Sequence, residues 1–278
     1  MLLTITTTHR PATDLGFLLH KNPARPGAQA FDLSFGRGLV FYPEVGEERC
    51  TAALLLEVDP VGLVRRKGHE AAPLAQYVND RPYVASSFLS VAIASVFGSA
   101  LAGRSRERPQ LVETRLPLVA RLAAVPARRG EAELRRLFEP LGYAVAVEAQ
   151  PLDPAMPEWG ASPYFTLELR GETRLRDLLA HLYVLIPALD EQKHYWVDEE
   201  EVAKLLRHGA GWLASHPERE SIAARYLKRR RPLVADALAR LADEGATDPD
   251  EAEEAAEVDA PEIAVEERAG LRERRLQA

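Results

Sequence analysis

The chain has a single cysteine, Cys50, in 278 residues. An internal disulfide framework is therefore excluded, and this usage fits a reducing compartment, the cytoplasm. Proline, glycine or charge interrupts every apolar run, so none reaches the roughly 20 residues of a membrane-spanning helix. The N-terminus, MLLTITTTHR, has no basic stretch ahead of an apolar core and does not read as a secretory signal. Several motifs of familiar chemistry are also missing. Gly36-Arg37-Gly38 is the nearest approach to a phosphate-cradling loop. It lacks a third glycine and a following helix, and it reads as a hairpin turn. There is no G-x-S-x-G nucleophile elbow. Cys50 sits inside a strand pattern, where cysteine is usually a small buried hydrophobe. The seven histidines have neither H-x-H nor H-E-x-x-H spacing.

The length of 278 residues is enough for one large domain or two ordinary ones, and a hydrophobic content of 46% lets most of it fold. The net charge of −7 is unevenly spread: residues 244–278 hold 12 acidic and 4 basic residues, which leaves the body close to neutral. Low hydrophobicity with high charge predicts that this tail is a disordered linker.

The patterning predicts an α+β fold of mostly antiparallel strands with packed helices. Leu2–Thr8, Phe31–Phe35, Leu39–Val45 and Cys50–Val58 read as strands, the last of them central. The focus of the chain is Gln76–Ser99. A polar entry, Asn79-Asp80-Arg81-Pro82-Tyr83, leads into a run in which Phe88, Leu89, Ala92, Ile93 and Val96 recur at helical spacing. Proline suits a first helical turn, so a buried helix begins near Pro82 or Tyr83. Leu116–Val125, Tyr143–Ala149 and Tyr164–Leu169 read as further strands. Glu131–Leu141, Leu175–Leu189, Val197–Ala214 and Ser221–Leu241 read as helices, and Pro151–Pro163 as a loop. Two subdomains, 1–110 and 111–243, follow from this order. A duplication is suggested by it, and also by a second polar entry that aligns Tyr83-Val84 with Trp196-Val197. Two unrelated helix starts are the alternative.

Candidate sites are few. Glu191 and His194 stand three apart and fit one helical face as metal ligands; a solvated helix N-terminus explains them equally. Arg225, Lys228, Arg229, Arg230 and Arg231 form the strongest basic cluster of the body, able to meet RNA phosphates or an acidic partner. Tyr226 is their one interleaved aromatic, which is little for single-strand recognition, and a solvated helix end is the alternative. Arg65, Arg66 and Lys67 form a smaller cluster of the same kind. Asn79, Asp80, Arg81 and Tyr83 join polar groups to a rigid helix, and arginine and tyrosine are frequent binding anchors. Against this, Tyr83 fits a core and Arg81 a solvated helix start.

The blocks MLLTITTTHRPATDLGFLLHKNP, FDLSFG, VFYPE, ERCTAALLLEVDPVGLVR and YVNDRPYVASSFLSVAI resemble the N-terminal half of bacterial HEN-type 3′-terminal RNA ribose 2′-O-methyltransferases, enzymes of RNA repair. The resemblance covers Met1 to about Leu241. It implies a non-catalytic module that binds a polynucleotide kinase-phosphatase-ligase partner and activates its RNA ligase, with RNA contacted indirectly. A homodimer within the complex is left open. The family's S-adenosylmethionine motif and glutamate/histidine metal site have no matching positions here, so the resemblance implies no cofactor and no catalytic residue in this chain. An RNA-binding module using Arg225–Arg231, or a small metal-dependent enzyme, are the competing readings.

Overall fold

The computed structural model describes residues 1–59, 81–153, 155–190 and 199–246. Seven strands form one antiparallel sheet: β1 (Leu2–Thr7), β2 (Gln29–Leu33), β3 (Gly36–Val45), β4 (Cys50–Val58), β5 (Leu116–Pro126), β6 (Ala144–Pro151) and β7 (Ala161–Thr173), in the order β2-β3-β4-β1-β5-β7-β6. Period-two alternation decides which way each strand faces. Leu3 pairs with Leu54 on one side and Leu122 on the other, and Ile5 with Ala52 and Ala120. All six are buried and form an apolar floor. The intervening positions face away, where Arg121 lies opposite Glu168 and pairs with Glu148 at 3.4 Å.

The helices are α1 (Asp14–Leu18), α2 (Arg81–Val96), α3 (Gly98–Leu101), α4 (Pro109–Val112), α5 (Glu131–Phe138), α6 (Leu175–Leu189), α7 (Glu199–Gly209), α8 (Arg219–Tyr226) and α9 (Arg231–Ala246). Twelve of the 15 residues of α6 are buried, as expected of a helix that is apolar all round. It packs against α2, α7 and α8 and is the centre of the helical layer. Among the described residues no helix is long and apolar enough to cross a membrane.

The α+β reading therefore holds, and its two halves share one sheet. β1, β4 and β3 run outward on one side of the middle, and β5, β7 and β6 on the other. The boundary expected between residues 110 and 111 is spanned by the β1–β5 pairing. The helix that follows each set, α2 or α6, packs against the other. The second polar entry, with Trp196 and Val197, lies outside the described residues.

Other elements differ from expectation for local reasons. Gly36-Arg37-Gly38 is not the turn. Ser34 and Phe35 turn, and Gly36 already pairs with Leu33. Gly36 has φ +147°, and a Cβ there would stand 2.0 Å from the Glu57 carbonyl oxygen, so the glycine marks a close approach of β4. The expected helix Ser221–Leu241 is two helices. Lys228 and Arg229 adopt φ of 53° and 55° between them, and Pro232 has no N–H with which to extend α8 but suits the first turn of α9. The expected Pro151–Pro163 loop is shorter, because β6 reaches Pro151 and β7 starts at Ala161.

Candidate partner interface

Arg81 and Tyr83 stand in the first turn of α2; Asn79 and Asp80 lie outside the described residues. One turn further on, Ser86 Oγ donates to the Asp190 carboxylate at 2.6 Å, buried. Asp190 closes α6, so the start of α2 and the end of α6 meet. Ser90 Oγ continues the seam by donating to the Tyr183 carbonyl at 2.8 Å. In a regular helix that carbonyl would accept from residue 187, which here is proline without an N–H.

The basic cluster is divided. Arg225 is paired with Glu133, and their side chains are only 7% and 3% exposed. This ion pair fastens α8 to α5 and withdraws the Arg225 guanidinium from any external ligand, which corrects its reading as part of a solvated helix end. The remaining residues gather at the α8–α9 junction. Arg229, Arg230 and Arg231 are exposed, and Lys228 is half-buried, its pKa lowered by burial and then by Arg230.

Glu191 and His194 lie outside the described residues, as do Arg65, Arg66 and Lys67. Among the described residues no group of three or more His, Cys, Asp or Glu side chains is placed to hold a metal ion. Cys50 is buried, and burial, aided by Glu44, pushes its thiol up to about 11, so little reactive thiolate forms near neutrality.

A buried aromatic and imidazole cluster went unread in the sequence. Tyr143 shares a 2.8 Å hydrogen bond with His181 Nδ1. His181 meets Trp212 edge-on at 4.9 Å, and Trp212 meets His216 at 5.9 Å. The Glu218 N–H donates to His216 Nδ1, so Nε2 carries the proton and donates to the Leu137 carbonyl at 3.0 Å. Burial lowers His181 to about 3 and His208 to about 4. Tyr143, His181 and His216 are buried and Trp212 and His208 half-buried, so this cluster serves packing.

Three of the exposed large apolar side chains among the described residues lie on the tip joining β6 to β7. Leu152, Met156 and Trp159 are exposed there by 54%, 42% and 58%. The tip is hydrogen-bonded within itself: Leu152 N–H donates to the Gly160 carbonyl at 2.9 Å, and Ala155 N–H to Asp153 Oδ1 at 2.8 Å. Residues 157–159 form a 3-10 turn opened by Pro157, and Gly160 closes it with φ 82°.

A family model described as the RNA repair, ligase-Pnkp-associating region of Hen1 matches residues 1–242. The chain belongs to this family. The Hen1 region thus spans the whole described fold except the last residues of α9. Among solved structures, a chain in the Pnkp1/Rnl/Hen1 RNA repair complex is similar, with a TM-score of 0.54 and 14% identity. The match covers 88% of this chain and 56% of that one, somewhat over half its length; at that identity it shows a shared fold. Comparison with curated proteins finds no match.

For this Hen1 region the proline-rich segment at 151–163 concealed the exposed tip. The available signal was compositional: no Lys or Arg occurs from 137 to 169, yet a tryptophan and a methionine sit among turn formers.

Proposed function

We propose that the chain is the non-catalytic module of a bacterial HEN-type 3′-terminal RNA ribose 2′-O-methyltransferase, and that it docks on the polynucleotide kinase-phosphatase-ligase partner and activates its RNA ligase. The observation that carries this reading is the match of a ligase-Pnkp-associating region to residues 1–242, the body of the fold. The start of α2 supports it. Arg81 and Tyr83 stand on a helix tied to α6 by Ser86 and Ser90, and a braced helix presents contact residues at little ordering cost. Asn79, Asp80, Arg81 and Tyr83 are the proposed contacts.

The test combines the chain with the ligase protein and a nicked RNA. Sealing rises with added chain, and Arg81→Ala lowers affinity about tenfold with the melting temperature unchanged. Sealing that does not respond to the chain overturns the reading. Incubation with labelled S-adenosylmethionine, manganese and a short RNA leaves the 3′ end unlabelled; transfer of label would sink the non-catalytic assignment.

A second reading, direct RNA contact, is favoured by the exposure of Arg229, Arg230 and Arg231 at one junction. It requires binding that weakens steeply with salt, with a slope reduced by about one for each phosphate-contacting arginine removed. Salt-independent binding excludes it.

A further inference from the structure

We infer that the β6–β7 tip is a protein-docking anchor, with Trp159 filling an apolar pocket whose rim is basic. The inference rests on the docking reading above and deepens it by naming a second contact surface and the chemistry it demands of the partner.

Leu152, Met156 and Trp159, three large apolar side chains close together in the chain, are each exposed at the tip. Tryptophan is among the residue types that dominate binding energy when a pocket encloses it, and methionine adapts to irregular surfaces. The tip is also rigid. Besides its two closing hydrogen bonds, Met156 N–H donates to the Asp153 carbonyl at 3.1 Å and Trp159 N–H to the Met156 carbonyl at 3.0 Å. The antiparallel pairing of β6 with β7 holds its base. A tip built in this way offers its side chains with little conformational loss on binding.

Charge selects the occupant. Glu148 and Glu168 near the hairpin are matched by Arg121 and Arg170. Asp153 and Glu158 on the tip itself form no ion pair among the described residues, and no cation occurs between 137 and 169. The tip's own residues are therefore apolar and acidic, with Arg128 and Arg129 following the β5 end that pairs at its base, and its apolar and acidic side chains are complementary to a basic-rimmed pocket on a protein. The same charge disfavours nucleic acid, whose phosphates it repels. It also disfavours a second copy of the chain, because a two-fold contact of tips would set Asp153 and Glu158 against themselves.

The experiment uses the full chain and the cognate kinase-phosphatase-ligase protein. Trp159→Ala and the double variant Leu152→Ser/Met156→Ser each weaken binding about tenfold or more, with an unchanged circular dichroism spectrum and melting temperature. Asp153→Lys/Glu158→Lys slows association, and the difference from wild type shrinks as salt is added. Full-strength binding by the folded Trp159→Ala and Leu152→Ser/Met156→Ser variants overturns the inference while leaving the docking reading intact. Two other results overturn it as well: wild type capturing an RNA oligonucleotide that Trp159→Ala releases, or sedimentation showing a tip-dependent dimer. Absence of binding by the wild-type chain overturns the docking reading itself and this inference with it.

Discussion

Ser90 gives the Tyr183 carbonyl the hydrogen bond that Pro187 cannot give. The site is buried, and an unpaired buried acceptor is costly. The serine of one half of the fold thus completes a helix of the other. Ser90→Ala is expected to destabilise the chain by about 1–3 kcal/mol. Pro187→Ala restores an N–H to α6 at the position facing that carbonyl. In a double-mutant cycle by urea unfolding, Ser90→Ala therefore costs less in the Pro187→Ala background. Equal costs in both backgrounds would refute the linkage.

Arg225 and Glu133 form the most buried ion pair among the described residues. Removing Arg225 leaves the buried Glu133 with only the half-exposed Arg129 among the described residues, 4.0 Å away. Arg225→Ala is expected to destabilise the fold by about 3–5 kcal/mol, whereas Arg225→Met/Glu133→Leu recovers most of the loss. Chemical denaturation of the three proteins checks this. An Arg225→Ala chain of wild-type stability would show that the pair does not fasten α8 to α5.

The buried histidines make the fold acid-sensitive. His181 and His208 stay neutral in the folded chain, down to about 3 and about 4, mainly through burial. In the unfolded chain they charge near 6.5. The unfolded state binds more protons below that value, so stability falls as pH drops from about 6.5 toward 4 and below. Urea midpoints measured at several pH values follow this trend. Replacing His208 with Gln, which does not titrate, flattens the curve above pH 4. An unchanged curve would place the sensitivity elsewhere.

The acidic stretch beyond α9 has few large apolar residues to bury, so it adds little stability. A chain cut after Ala246 is expected to melt within a few degrees of the full chain. A larger fall in a thermal scan would show that the tail docks on the body.

How far the fold could be read depended on where its information lies. Leu175–Leu189 was read to its ends, because a long apolar period leaves little choice of structure. The α8–α9 break was missed although Pro232 signalled it, since the apolar spacing continues across the junction. Gly36 reads in sequence as a turn residue. The close Glu57 carbonyl that demands a glycine is brought by β4, from a distant stretch of sequence. The same holds for the interface candidates. Arg225 belongs visibly to a basic cluster, but its partner Glu133 lies 92 residues away, and no local pattern joins them. Trp159 was passed over because prolines described the backbone there correctly as irregular, without revealing that the tip is braced and exposed.

β1 lies at the middle of the sheet, with Leu3 between Leu54 and Leu122. Neither neighbour is close in the chain, so β1 waits through two long loop closures before it is covered, and such topologies fold slowly. Without β5, β1 beside β4 would be a bare strand edge that another chain can copy. That edge is covered by residues 116–126. The strand order thus leaves one edge of β1 to be closed only by the second half of the sheet.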